Sequence, residues 1–593
     1  MEYMRAKGPI AAAALICVMA GLLAGCKVAE EPKTVDPLEG YNIWFDKCGE
    51  PADYLTVVDI RESYGGLYDE RLLDYYYERG AIKVLQGIVN REHPQIYMIY
   101  RYEDVLWLDN MIERGYIKGV EETFTNIEPL VEKFKDYLNG AVLIDEKLTF
   151  GSMIAMPVAA CENLLPVSGA LNASLGLEIV IDLNEMNFKN NAAGLGWAWD
   201  TYKDQLNQKL FIAMHPNLYT GVDGAIDYIV AQKGFPIWIN EAVAEKVNGV
   251  NHEEEFRVVE RIFKESPTMG KVMGFWWHGG GASAKGIGEI PGVRFTNQYG
   301  KVMLVCGFPN ISVHCGIKKA TLELPEPKKI TTLEDKLYVS LVTTDGDALN
   351  AWSLTIPQHT FPDWFGSEAY GAVPMGWGMG VTMIDVAPAI AEWYWDRADE
   401  NNEFFCDVSG LSYIDPKDFG KMLKKPEQDE LWQEFFALTN EYVERNGYKA
   451  MRVLNRDHAS LSFLELYESN VRGIHSFFAD WGNTYYPRIE IKDSAYRIGE
   501  INVFRAMTDW TGGEDGLKRE ALAHQIIDLN NERKKTMNGG PAFAQAFVNI
   551  WYYYDDMDDM KYVFEEVSRA TGGEVVFVTP SGLSSAYGLY LDR

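Results

Sequence analysis

The sequence predicts a multidomain α/β protein, with small N-terminal α/β layers followed by a C-terminal (β/α) barrel-like domain. Beyond about residue 330, short apolar, β-branched runs alternate with helical stretches about eight times, the number a (β/α) barrel requires. Before that point strands and helices also alternate, but as small, separate layers. The chain of 593 residues is too long for one core, and a prior of about 150 residues per domain gives three or four units. Strand order is not legible here, so an open doubly wound sheet satisfies the same alternation.

At the N-terminus, Arg5 and Lys7 precede an apolar run from Ile10 to Leu23, which ends in Leu23-Ala24-Gly25-Cys26. This resembles a bacterial lipoprotein signal. It implies a signal peptide over 1–25, lipidation of Cys26, a polar tether over 26–40 and an extracytoplasmic, membrane-anchored protein. No later segment is long and apolar enough to span a bilayer.

An N-terminal α/β domain is expected over 41–140. Its helix from Leu67 to Val89 is interrupted at Gly80 and runs into Leu85-Gln86-Gly87-Ile88-Val89-Asn90-Arg91; Gln95 to Tyr100 follows as strand. A middle α/β region over 141–330, of one or two subdomains, carries strands at Gly140 to Asp145, Pro236 to Ile239 and Lys271 to His278, with a helix from Ala225 to Phe235. Gly279-Gly280-Gly281 lacks the following Lys-Ser or Lys-Thr of a phosphate-binding loop and reads as a turn.

The barrel is expected over 331–593. Its strands are Leu337 to Thr344, Val373 to Gly378, Phe404 to Val408, Ala450 to Leu454, Val471 to Ala479, Ile501 to Met507, Phe543 to Ile550 and Val575 to Thr579. Helices intervene at Ala387 to Ala398, Gln428 to Arg445, Leu517 to Lys535 and Asp559 to Thr571.

A barrel builds its site from the loops after the strands. The first strand stops at Asp345-Gly346-Asp347, where two aspartates two residues apart project to one side. The same residues also suit a turn or a helix cap. Trp377 closes the second strand, Tyr413 follows the third and Asn455-Arg456-Asp457-His458 the fourth; Asp480-Trp481, Asp509-Trp510 and Trp551-Tyr552 follow the next three. Aromatic residues at so many exits favour a sugar-like ring ligand over loop packing.

Composition narrows the partners. With 16 Trp, 33 Tyr and 27 Phe the chain is 13% aromatic. Its formal net charge of -31 makes nucleic acid a poor partner. After removal of Cys17 and acylation of Cys26, five cysteines remain; Cys306 and Cys315 are spaced to close a loop, though spacing does not fix connectivity. There is no CxxC pair and no HExxH for zinc.

The segments Leu85 to Arg91, Asp227 to Phe235, Lys336 through the DGD stretch, Val373 to Trp377, Ala387 to Ala398 and Val408 to Pro416 resemble the GxGYxYP putative glycoside hydrolases. In the eponymous motif, Gly410-Leu411-Ser412-Tyr413-Ile414-Asp415-Pro416, Ser412 stands where the pattern has its second Gly and Asp415 where it has its second Tyr. A serine at 412 argues against a positive φ there.

The resemblance implies glycoside hydrolysis, which needs one protonated and one ionised carboxyl group flanking the scissile bond. One comes from Asp345 or Asp347, the other from Asp480 or Asp457 first and Asp415 next. Trp377, Tyr413, Trp481 and Trp510 are the expected sugar platforms, with Asn350 and His458 as hydroxyl partners. No cofactor is expected, although Asp345 with Asp347 also suits a divalent cation. Polysaccharide deacetylation is disfavoured, because no His-x3-His completes the usual metal set. The competing class is a noncatalytic carbohydrate-binding lipoprotein that kept the aromatic platforms and lost the chemistry.

Overall fold

The structure, a computed structural model, describes residues 43–61, 73–216, 224–242, 247–276, 286–318, 324–343, 349–354, 364–454, 462–479, 489–509, 518–550 and 557–593. Strands β1 (Tyr54–Asp59), β2 (Ile96–Ile99) and β3 (Gly119–Phe124) form a parallel sheet in the order β2-β1-β3. Successive strand residues point to opposite faces, so β2 is buried on both. Its Ile96 and Met98 pack with Ile82, Leu85 and Val89 of the helix Leu73–Val89, and its Tyr97 and Ile99 with Leu108 and Met111 of the helix Tyr102–Glu113.

The helix Leu73–Val89 runs straight through Gly80, against the expected interruption. Ala81, Ile82, Val84, Leu85 and Ile88 are all buried, and packing of that extent outweighs the roughly 1 kcal/mol helix penalty of one glycine.

Strands β4 (Ala141–Leu143), β5 (Leu165–Val167) and β6 (Ile179–Asp182) form a second parallel sheet in the order β5-β4-β6. A third follows, from β7 (Leu210–Ala213), β8 (Phe235–Ile237), β9 (Gly270–Gly274) and β10 (Lys301–Leu304), in the order β10-β9-β7-β8. A buried polar network joins the first and third sheets. Gln86 Nε2 donates to Asn310 Oδ1 (2.7 Å), Asn90 Nδ2 to Ser312 Oγ (2.9 Å), and Ser312 Oγ to Asp227 Oδ2 (2.6 Å). Burial raises Asp227 to about 6. Gln86, Asn90 and Asp227 lie in the two N-terminal segments that carried the family resemblance, and their role here is to join domains.

The C-terminal region is a nearly closed barrel. Strands β11 (Leu337–Thr343), β12 (Met375–Met379), β13 (Asn402–Cys406), β14 (Ala450–Val453), β15 (Ser476–Ala479), β16 (Ala495–Ile498), β17 (Ile501–Arg505), β18 (Ala542–Val548) and β19 (Val575–Phe577) share one sheet. Its order is β16-β17-β15-β14-β13-β12-β11-β18, with β19 beside β11. Among the described strands of this sheet only β16 is antiparallel, as a hairpin partner of β17. Past that hairpin, Ala506 bridges Gln545 of β18 and brings the two ends of the sheet together. On its other side, β11 pairs with β19 through Leu337 to Val339 and with β12 through Leu341 to Thr343, so β19 is wedged in at the N-terminal end.

The lower barrel is filled. Tyr338, Phe405, Ala450, Phe478, Phe504 and Phe543 point inward from six strands and pack on Leu583, Ala586 and Tyr587 of the C-terminal helix Pro580–Leu591. That helix plugs the N-terminal end of the barrel. Its first turn is held by Glu403 of β13, whose carboxylate accepts from Ser581 N (2.7 Å) and Ser581 Oγ (2.6 Å). All eight strands expected for the barrel are present; the plug helix and β16 were not foreseen.

Candidate functional site

The plug helix occupies the N-terminal end of the barrel, and the parallel strands run toward the opposite rim. Strand alternation fixes what faces inward there. Cys406 pairs with Met451, so the next residues, Asp407 and Arg452, share the inner side. Asp407 is 1% exposed and Arg452 0%. Arg452 reaches into the lumen: its Cζ lies 4.5 Å from the ring centre of Phe547 on β18, a strand that neighbours neither side of β14.

Two features make room for this pair. A Cβ on Gly378 would meet Thr343 O at 2.7 Å and the Asp407 side chain at 3.0 Å, so only glycine lets Asp407 lie against β12. The turn after β13 is then strapped to β14: Ser409 N donates to Arg452 O (2.7 Å), and Leu454 N to Ser409 Oγ (2.9 Å). Ser409 (φ +58°) and Gly410 (φ +94°) carry the positive φ of this turn, and Ser412 is not among such residues, as its side chain led us to expect. Ser340 and Gln545, register partners on β11 and β18, add buried polar side chains to the lumen. Their Oγ, Oε1 and Nε2 atoms have no hydrogen-bond partner among the described residues.

The residues singled out from the sequence fall into three groups. Asp345, Asp347, Asp457, His458, Asp480, Trp481, Trp510 and Cys26 lie outside the described residues. The strands that precede most of them, β11, β14, β15 and β17, are parallel and end at the same rim, opposite the plug helix.

A second group sits at the seam with the third sheet. Tyr413 N donates to Met303 O (3.0 Å), and its ring, 7% exposed, lies 6.1 Å from Phe275. Asp415 N donates to Asn297 Oδ1 (2.7 Å), while its carboxylate accepts from Lys417 N and lies 3.5 Å from Arg294 Nε. Asn350 Oδ1 accepts from Gly307 N (2.5 Å).

Trp377 stands alone in the third group. It is mid-strand in β12 and points outward, with Nε1 donating to Asn402 Oδ1 (2.8 Å) in an aromatic core with Trp352, Trp364 and Phe365.

Sequence reasoning missed Asp407 and Arg452. The signal was an ionisable residue at the inward phase of an apolar strand, in Phe404-Phe405-Cys406-Asp407 and in Ala450-Met451-Arg452-Val453. Among the described residues no cluster of three or more His, Cys, Asp or Glu is placed to hold a metal ion.

Known families agree with this architecture. Residues 335–587 match the GxGYxYP putative glycoside hydrolase C-terminal domain, 73–136 the first domain of the same family and 208–316 its third. The chain belongs to the GxGYxYP family. Each matched segment of this GxGYxYP protein holds a unit described above: the first sheet's helices, the third sheet and the barrel. A solved structure of a putative hydrolase from Bacteroides thetaiotaomicron VPI-5482 is similar in fold, with a TM-score of 0.71 at 18% identity, covering 92% of this chain and 96% of that one. A PuuE allantoinase (TM-score 0.31, 10% identity, 44% of this chain and 94% of that) and a putative polysaccharide deacetylase from Mycobacterium smegmatis (0.29, 11%, 45% and 96%) resemble it more distantly. No curated protein matches the chain.

Proposed function

We propose that this GxGYxYP protein is a glycoside hydrolase acting on an extracytoplasmic glycan at the rim of its barrel opposite the plug helix. The observation that carries the reading is the buried Asp407 and Arg452 facing the lumen beneath that rim. Its place on the inner side of β13, one residue past the strand, suits the Asp407 carboxylate to act as nucleophile or base. The acid then comes from Asp345, Asp347, Asp457 or Asp480, each next to the end of a barrel strand. Asp415 ranks last among the carboxylates, because its partners belong to the seam. Trp481 and Trp510 remain the sugar platforms, with His458 as hydroxyl partner; Tyr413 and Asn350, buried at the same seam as Asp415, leave that role.

The test is a glycan screen on the intact protein, then kinetics on Asp407→Asn. Turnover should fall on the order of 10²-fold or more while glycan binding survives, since stacking does not depend on the charge. Full turnover in this variant would remove Asp407 from the chemistry. A parent that binds one glycan and hydrolyses none is instead a carbohydrate-binding protein. Loss of turnover with a chelator would favour a divalent cation at Asp345 and Asp347 over purely carboxylate chemistry.

The same reading places the protein outside the cytoplasm, anchored through Cys26. No described helix is long and apolar enough to cross a membrane, so acyl chains would be the anchor. Cys26→Ala should abolish lipid labelling and release the protein from membranes; unchanged retention would assign the anchoring to another element.

A further inference from the structure

Cys48, Cys161, Cys306, Cys315 and Cys406 are free thiols. Two of them meet. Cys48 N donates to Cys315 Sγ at 3.4 Å, and both residues are buried, at 4% and 0% exposure. The backbones around them touch as well: a Cβ on Gly316 would fall 2.2 Å from Gly49 O. The segment around Cys48 is a strap laid across the third sheet's domain. Trp44 Nε1 donates to Met269 O, Lys271 Nζ to Trp44 O, Tyr228 Oη to Asp46 O and Gln232 Nε2 to Cys48 Sγ.

We propose that Cys48 and Cys315 are an oxidation site, joined as a disulfide when the chain folds in an oxidising compartment. The partner that spacing suggested for Cys315 was Cys306; the fold supplies Cys48 instead. The oxidant is a disulfide, either a low-molecular-weight one or that of a thiol–disulfide oxidase. One cysteine thiolate attacks it, forming a mixed disulfide and releasing one thiol; the second cysteine thiolate then displaces the other. Two cysteines are oxidised, one disulfide is reduced to two thiols, and the cysteines' two protons end on those thiols.

The bond to the Cys315 thiol, together with burial, holds the Cys48 thiol well above its ordinary pKa. Thiolate is therefore scarce once the strap is closed, and the exchange belongs to the folding chain. The product would pin a strap to a site 267 residues away in sequence, a long loop of the kind whose closure restricts the unfolded chain most.

The experiment refolds the full-length chain with oxidised glutathione, alkylates it under denaturing, non-reducing conditions and maps peptides by mass spectrometry. The expected result is one linked pair containing Cys48 and Cys315. Cys306→Ser should leave that link intact, and reductant should lower the melting midpoint of the wild type without moving that of Cys48→Ser. Complete alkylation of the wild type, or a link from Cys315 to Cys306, overturns the proposal without needing any variant to fold.

Discussion

Glu403 and Asp407 lie four residues apart, at the two ends of β13, and meet opposite ends of the barrel. Glu403 holds the plug helix through Ser581, and burial raises it from 4.5 to about 7. Its folded form binds a proton that the unfolded chain has released, so its contribution is fully present below about pH 4.5 and is lost as pH rises through about 7. A shift of that size corresponds to roughly 3 kcal/mol between the two limits. Asp104, raised to about 7, and Asp227, raised to about 6, titrate in the same window, so the difference between two proteins isolates Glu403. Melting curves of the wild type and Glu403→Gln from pH 4.5 to 8 should show the wild type losing stability relative to the variant as pH rises. Parallel curves would mean that Glu403 stays ionised.

At the scale of elements, the barrel strands were legible because long helical stretches separate runs such as Leu337-Tyr338-Val339 and Ala542-Phe543-Ala544, which are buried on both faces. What sequence could not give was phase. Trp377 reads as a strand exit, yet β12 continues to Met379 and alternation sends Trp377 outward while Gly376 and Gly378 line the lumen. The same parity puts Asp407 and Arg452 inside, where the sequence shows only two charges in apolar runs. The plug helix went unread because Pro580–Leu591 mixes serine and glycine with apolar residues and shows no clean helical stripe. Leu583 is fully buried against inward-pointing aromatics, so Leu583→Ala should cost about 2–5 kcal/mol. Urea unfolding should show that loss with kcat unchanged, because the plug and the proposed site occupy opposite ends. A kcat that falls with stability intact would place the chemistry at the plugged end.

For the whole molecule, the question is how the small domains serve the barrel. The polar network among Gln86, Asn90, Asp227, Asn310 and Ser312 binds the first and third units to one another, and the third unit then meets the loop after β13. Asp415 marks that meeting: its backbone is bound to Asn297, its carboxylate lies beside Arg294, and it is 3% exposed. From sequence it was a third-choice catalytic carboxylate; its partners describe a residue that fixes one domain on another. The two roles predict different losses. As a seam residue, Asp415→Ala keeps its backbone bond to Asn297 and loses only the turn bond from Lys417 N and the contact with the half-exposed Arg294, so stability should fall by about 1 kcal/mol, with kcat of the folded protein within about threefold of the parent and any change falling on KM. As a catalytic carboxylate it would lose turnover by on the order of 10²-fold with an unchanged melting curve. Measured beside Asp407→Asn, for which loss of turnover with retained stability is expected, Asp415→Ala should show the opposite pattern; if both variants lose turnover alone, the site extends from the lumen of the barrel to the domain seam.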